Sequence, residues 1–478
     1  MTDLHDLTLT EQAAAIHGRT VSPTELVDHH VRRIEASNSA LGAYRTVDAS
    51  GARQTAAAIE ARLAAAGDDG EGLPPLLGVP LSVKDTWPVA GLPFTAGSAA
   101  FDDRTAPADA AVVGTLRAAG AVLLGTTTAA EFGCSAYTET VFATARCPYD
   151  LTRGAGGSSG GAAVSVAAGL AAGALGSDGG GSVRIPAAAC GVVGLKPSRG
   201  RVTPAPATDA LGLATAGPLA RTVADAALLL DVMAVSTPGD AAALPALSPG
   251  YFRACAEREP GPLRIGVLPT TDGQHPEAAL ACGRTAELLA GLGHHVEEAL
   301  PYDPDEYLAD FTVLWSVLAA AVPVPPEREE RLLPLTRWLR ARGGEHGAVR
   351  LYAAMASLSA TARALCHRYA GFDAVLSPTT DQPPLPVGSL VDPDDPERTY
   401  LRMLAHTPRT PWANLTGQPS ISLPLHRTPD GLPVGVMLTG RLHQEDVLLA
   451  LGAQLERALP WPHHAVRPVA KRPERTAR

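Results

Sequence analysis

Leu77-Gly-Val-Pro-Leu-Ser-Val83, Ala108 to Ala119 and Ala121-Val-Leu-Leu124 stand one after another in the chain, and their order decides the fold class. The first and last are short apolar runs, the pattern of buried strands; the middle run is long and Ala-rich enough for a helix. Strand, helix and strand in succession point to an α/β sheet. Working outward, Gly160 to Ala168 reads as a helix of small residues and Ala171 to Ser177 as a buried strand. Leu263 to Leu268 is a further strand, followed by an amphipathic helix from Pro276 to Leu292. On the N-terminal side, Ser22-Pro23-Thr24-Glu25 carries a capping serine, a proline suited to the first helical turn and the glutamate of a capping box. Leu26, Val27, Val31 and Ile34 then recur at helical spacing. A second helix is expected from Ala49 to Ala66, ending in the loop Gly67-Asp-Asp-Gly70. Residues 236–262 read as a long connection, 300–410 as more helical and Pro-punctuated, and the tail after Trp461 as extended.

The 478 residues are 46% hydrophobic and 18% charged, which specifies a folded chain with a large core. A net charge of −10 disfavours nucleic acid or an anionic membrane as partner. None of the six cysteines forms a C-x-x-C pair, so neither a zinc site nor a disulfide framework is expected. Gly154 to Ser177 is uncharged, but its eight glycines make it a poor membrane span. With no apolar leader at Met1, the expected location is the cytoplasm.

Three segments could carry chemistry. The first is Leu81-Ser-Val-Lys84-Asp85. A strand-end lysine is ordinarily unremarkable in function, but only Lys84, Lys196 and Lys471 among the 39 basic residues are lysine. Arginine cannot lose its proton near neutral pH, whereas a desolvated lysine can. Lysine at an apolar strand end therefore suggests a titratable amine, and the same logic nominates Lys196. The second is Gly156-Gly-Ser-Ser-Gly-Gly161. It fits a flexible linker, or the G-x-S-x-G nucleophile elbow with Ser158 or Ser159 central. The elbow demands a preceding strand, and Cys147 to Arg153 is a polar loop instead. The third is Ser177-Asp178-Gly-Gly-Gly-Ser182-Val-Arg184-Ile-Pro186. Three glycines let backbone N–H groups converge, and Ser182 is expected to open a helix running to Ala189. A hydroxyl beside convergent donors suits attack on a carbonyl. A loop that merely binds an anion has the same sequence.

Together these segments, with Gly191 to Gly200, resemble the amidase-signature family. The two serines lie 24 residues apart and Lys84 lies 98 residues before Ser182, as in that family. Asn414-Leu-Thr-Gly-Gln-Pro419 and Gly431-Leu-Pro-Val-Gly435 extend the likeness toward the C-terminus, and the look is closest to bacterial hydrolases of small linear or cyclic amides. Three departures stand out: Ala155 replaces a usual proline, the loop has three glycines (179–181), and Gly125-Thr-Thr-Thr128 replaces Gly-Lys-Thr-Asn. The resemblance implies one α/β/α domain around a large, mixed, mostly parallel twisted sheet. Residues 1–75 would be a helical segment packed on the core, 76–235 the signature core, 236–460 the rest of the same domain, and 461–478 a tail. It implies Ser182 as nucleophile, Ser158 as proton bridge and Lys84 as base. Gly179, Gly180, Gly181 and Ser182 would supply the oxyanion-hole N–H groups, with Asp178 and Arg184 holding that loop. An acyl-enzyme on Ser182 needs no metal or organic cofactor. The partner implied is a small-molecule amide, and homodimerisation follows by analogy alone. The pocket is expected from about 300–410 and 125–145, with Phe311, Trp315 and Tyr352 as apolar lining. Rival readings are an esterase using Ser158 with His367, His406 or His443, an amidotransferase subunit passing ammonia to an aminoacyl-tRNA, and a binding protein without catalysis.

Overall fold

The computed structural model describes residues 3–65, 72–102, 104–207 and 212–468. Among these residues eleven strands form one sheet: β1 (Tyr44–Val47), β2 (Pro80–Lys84), β3 (Val122–Thr127), β4 (Gly173–Asp178), β5 (Val193–Lys196), β6 (Thr215–Ala220), β7 (Arg264–Val267), β8 (His295–Glu298), β9 (Ala374–Pro378), β10 (Ser420–Arg427) and β11 (Pro433–Gly440). Their spatial order is β1-β3-β2-β4-β6-β5-β10-β11-β9-β7-β8. Alternate residues of a strand face opposite sides. Leu123 and Leu175 accordingly join the apolar layer that holds the helix Val223–Met233, whereas Val122, Leu124 and Ala174 join the layer that holds the helix Gly160–Ala167. Both faces are thus buried, and β2, β3 and β6 have no exposed residue.

The α/β class holds, with a mixed sheet between helices. The expectation of a mostly parallel sheet does not. Among the described residues only β2–β3, β2–β4, β7–β8 and β7–β9 pair in parallel; the other six pairs are antiparallel. The cause is β6, which slots antiparallel between β4 and β5, together with the β10–β11 hairpin turning at Asp430-Gly431.

Helix starts follow local chemistry. Ser22 accepts from the Glu25 N–H and opens the helix Pro23–Leu41. The reciprocal capping box lies one helix earlier, between Thr8 and Glu11. The first 75 residues are not purely helical, because β1 adds an edge strand to the sheet. The connection 236–262 contains a short helix, Tyr251–Ala256. The tail is tied down as far as Val466: buried Trp461 donates Nε1–H to the Arg221 carbonyl at 2.9 Å, and the Val466 N–H bonds the Ala167 carbonyl at 2.8 Å. The loop expected at Gly67–Gly70 lies outside the described residues.

Candidate active site

β2 and β4 are parallel neighbours, so their C-terminal ends open at the same edge of the sheet. That edge is where α/β sheets place their ligands. It brings Lys84, the last residue of β2, beside Ser177 near the end of β4. Lys84 is fully buried. Its Nζ lies 2.7 Å from Ser158 Oγ and donates to Ser177 Oγ at 2.8 Å. Burial pushes the Lys84 amine from its ordinary 10.5 down to about 7, against the opposing pull of Asp178 and Cys134. Asp85, the next residue, turns away and accepts from Thr95 and Gly97.

Ser158 sits in the glycine-rich loop ahead of the helix Gly160–Ala167, with no strand before it. The nucleophile elbow is therefore absent. Gly157 is required here: a Cβ would fall 2.5 Å from the Tyr137 carbonyl oxygen. Geometry also separates the two serines. Ser158 Oγ faces Lys84, whereas Ser159 Oγ–H donates to the Ser177 carbonyl at 3.3 Å. The Ser159 N–H bonds the Ser182 carbonyl at 3.3 Å, tying the two loops together.

The loop from Asp178 to Ser182 is organised by one buried carboxylate. Asp178 accepts from the N–H groups of Gly181 (2.7 Å) and Val183 (3.1 Å) and from Arg184 Nε (3.0 Å) and Nη2 (2.9 Å). Asn414 Nδ2 adds bonds to the Asp178 carbonyl and to its Oδ1, both 2.9 Å. Burial alone raises the Asp178 carboxyl; Arg184, Lys196 and Asn414 reverse this and hold it well below the usual carboxylate range. Two expectations need correction. The Gly181 N–H is committed to Asp178, so it is not available to a substrate oxygen. The helix begins at Arg184 and ends at Cys190, so Ser182 lies in the turn before it and does not open it. Glycine at 181 answers a backbone demand instead: its φ is +123°, and a Cβ would meet Thr410 Oγ1 at 2.4 Å.

Ser158, Ser177 and Ser182 line one cavity of about 290 Å³. Trp87, Phe132, Leu213, Trp315 and Leu318 supply much of its apolar wall. Tyr352, expected in the lining, is 75% exposed elsewhere. No histidine lines this cavity or the adjoining slot on the other side of Ser182, among the described residues. A larger cavity, about 440 Å³, beside Tyr302 and Arg409 contains neither serine. The hydroxyls and the amine mark the site better than size does.

A family model described as Amidase matches residues 25–449. The chain belongs to the amidase-signature family. Its amide-hydrolase class follows from that match and from relatives along the whole chain. AmiB2 of Mycobacterium tuberculosis is 39% identical, covering 97% of this amidase and 98% of that protein. The 6-aminohexanoate-cyclic-dimer hydrolase of Paenarthrobacter ureafaciens is 36% identical, over 97% and 96% of the two chains. A solved structure of 6-aminohexanoate cyclic dimer hydrolase complexed with substrate matches with a TM-score of 0.88 at 33% identity, covering 98% and 99%.

Several residues of this amidase site carry no role in the sequence reading. Ser177 and Asn414 stand inside the quoted motifs, but only the sheet order brings Ser177 to Lys84. Thr410 donates its hydroxyl to the Gly180 carbonyl at 2.7 Å and buttresses the glycine loop. Trp87 and Leu213 enter the wall from outside both expected pocket segments. Lys196 shares the burial of Lys84, yet its Nζ donates to the Pro197 carbonyl at 2.8 Å and it does not line the cavity. Among the described residues one cluster, Asp3, His5 and Asp6, has metal-ligand geometry; it does not line the cavity either. No helix of the described residues is long and apolar enough to cross a membrane.

Proposed function

We propose that this amidase cleaves its substrate through Ser182, Ser158 and Lys84, with a covalent acyl-enzyme on Ser182. The observation that carries the reading is the 2.7 Å approach of a buried amine to the Ser158 hydroxyl, in the cavity that also exposes Ser182. Neutral Lys84 takes the Ser158 proton while Ser158 takes that of Ser182. Ser182 Oγ bonds to the carbonyl carbon, and the carbonyl π pair moves onto oxygen. The N–H groups of Gly179, Gly180 and Ser182 have no acceptor among the described residues and are available to that oxygen. The C–N bond then breaks, and the proton returns from Lys84 through Ser158 to the leaving amine. Water reverses the relay, releasing the acid and restoring Ser182. Asp178 and Arg184 keep the loop in shape without touching the reacting atoms.

A fluorophosphonate tests the assignment directly. Mass spectrometry is expected to place the label on Ser182, and Ser182→Ala is expected to abolish both label and turnover. Ser158→Ala should lose roughly 10²–10⁴ in kcat, the range for a positioned acid–base group, while Ser159→Ala stays within tenfold. Label on Ser158, or loss of activity to a chelator with recovery on adding zinc, would overturn the mechanism. The absence of any histidine from the cavity lining, among the described residues, counts against the Ser-His-Asp alternative.

A further inference from the structure

The substrate class of this site can be read from its walls, granting the serine chemistry proposed above. Neither the cavity nor the adjoining slot beside Ser182 is lined by an Asp, Glu, Lys, Arg or His side chain among the described residues. Cys134 lines both, and burial pushes its thiol up to about 12, so it too is uncharged near neutral pH. The base itself is half neutral near pH 7 and faces Ser158 and Ser177. A substrate carrying an ammonium or carboxylate close to the scissile bond would shed its water and meet no counter-charge among the described residues.

One wall is rigid and flat. Trp315 is pinned by its Nε1–H to the Cys134 carbonyl at 3.1 Å and stacks on Phe311 with ring centroids 5.3 Å apart. A Cβ added at Gly179 would touch its six-membered ring at 3.5 Å, so the indole lies directly against the loop that presents the oxyanion donors. Its pinned plane offers a planar apolar group a contact without further ordering. The ring could also attract a cation through its face. That attraction is modest beside the cost of stripping water from an unpaired charge.

We infer that the site selects amides uncharged on both sides of the scissile bond, with a planar apolar group laid against Trp315. Three p-nitroanilides of equal reach test this: hexanoyl, 6-aminohexanoyl and 5-carboxypentanoyl. The readouts are kcat/KM by nitroaniline release and, independently of turnover, the concentration of each anilide that halves fluorophosphonate labelling of Ser182. The neutral anilide should exceed both charged ones at least 100-fold, about 2.7 kcal/mol. A charged anilide within tenfold overturns the inference. Leu318→Glu places a carboxylate on the cavity wall and should raise the 6-aminohexanoyl to hexanoyl ratio at least tenfold; an unchanged ratio counts against it. Trp315→Leu should lower kcat/KM for hexanoyl p-nitroanilide at least tenfold more than for hexanamide. Equal losses on the two substrates remove Trp315 from the account. Wild-type enzyme that labels elsewhere than Ser182 refutes the serine mechanism itself. Label on Ser182 with a preferred charged anilide refutes only the selectivity.

Discussion

Replacing Lys84 by arginine tests whether the buried amine is a base or only a positive charge. A fall from 10.5 to about 7 adds roughly 5 kcal/mol to the cost of the charged form. About half of the enzyme then carries neutral lysine at pH 7, against about one in three thousand for a free side chain. Arginine under the same burial stays protonated. Lys84→Arg is therefore expected to be as inactive as Lys84→Met, at least 10³-fold down in kcat/KM. The wild-type rate should climb about tenfold per pH unit on the acid side of pH 7 and level off above it. The assay is p-nitroanilide release from about pH 5 to 9, with circular dichroism to confirm folding. A folded Lys84→Arg enzyme retaining more than about a tenth of wild-type kcat/KM (a loss under roughly 1.4 kcal/mol), or a profile flat from about pH 8 to 5.5, would refute the reasoning.

The same amine leaves a mark on stability. Between about pH 7 and 10.5 the folded state has released the Lys84 proton while the unfolded chain still holds it. The unfolded state binds more protons there, so this contribution to stability rises with pH through that window. Below about pH 7 both states are protonated, and the penalty for burying the charged amine is felt in full. Lys84→Met is thus relatively more stable than wild type at low pH, and its advantage shrinks by about 2–3 kcal/mol between pH 6.5 and 9. Lys196, lowered to about 7 by burial and by Arg184, contributes over the same window in both proteins and cancels in the difference. Urea midpoints at the two pH values measure this, and a pH-independent difference contradicts it.

Ser177→Ala removes an acceptor that favours the charged form of Lys84, so the acid limb of the rate profile should move to lower pH by roughly 0.3–1 unit; a shift to higher pH tells against that role. Cys134, held at about 12, has about one thiolate in ten thousand at pH 8, so iodoacetamide should leave both the thiol and the activity intact over an hour. Peptide mass mapping that finds Cys134 alkylated within minutes contradicts this. Asp178→Asn strands Arg184, a fully buried guanidinium, and should cost about 3–5 kcal/mol in chemical denaturation. A loss under 1 kcal/mol would show that the network is dispensable.

The sequence made β2, β3 and β4 and the α-helices between Pro23 and Ala167 legible because their apolar runs are bounded by glycine, proline and capping residues. It did not expose β6, whose Thr-Ala-Gly-Pro-Leu-Ala carries neither alternation nor a branched run. β1 and β5 went unread as well, and the mostly parallel sheet came from the family resemblance alone. The motif serines and Lys84 could be nominated from residue type and spacing. Their partners could not, because Ser177 reaches Lys84 through strand order, and Thr410 and Asn414 reach the glycine loop from more than 200 residues away. The commitment of the Gly181 N–H to Asp178 is likewise a fact of loop closure, invisible in a run of three glycines.

Lysine scarcity nominated two residues, and burial brings both to about 7. Burial alone therefore does not single out the proposed base; access to a hydroxyl does, and of the two it is Lys84 that has it. Burial is what lowers the Lys84 amine, and it does so against nearby negative charge. Asp178 pulls the Lys84 amine upward, toward protonation. Arg184 occupies both carboxylate oxygens, and three backbone N–H groups share them. The anion is spent on a guanidinium that cannot titrate. Among the described residues no carboxylate hydrogen-bonds the Lys84 amine, whose partners are the Ser158 and Ser177 hydroxyls, and that is the setting the proposed base requires.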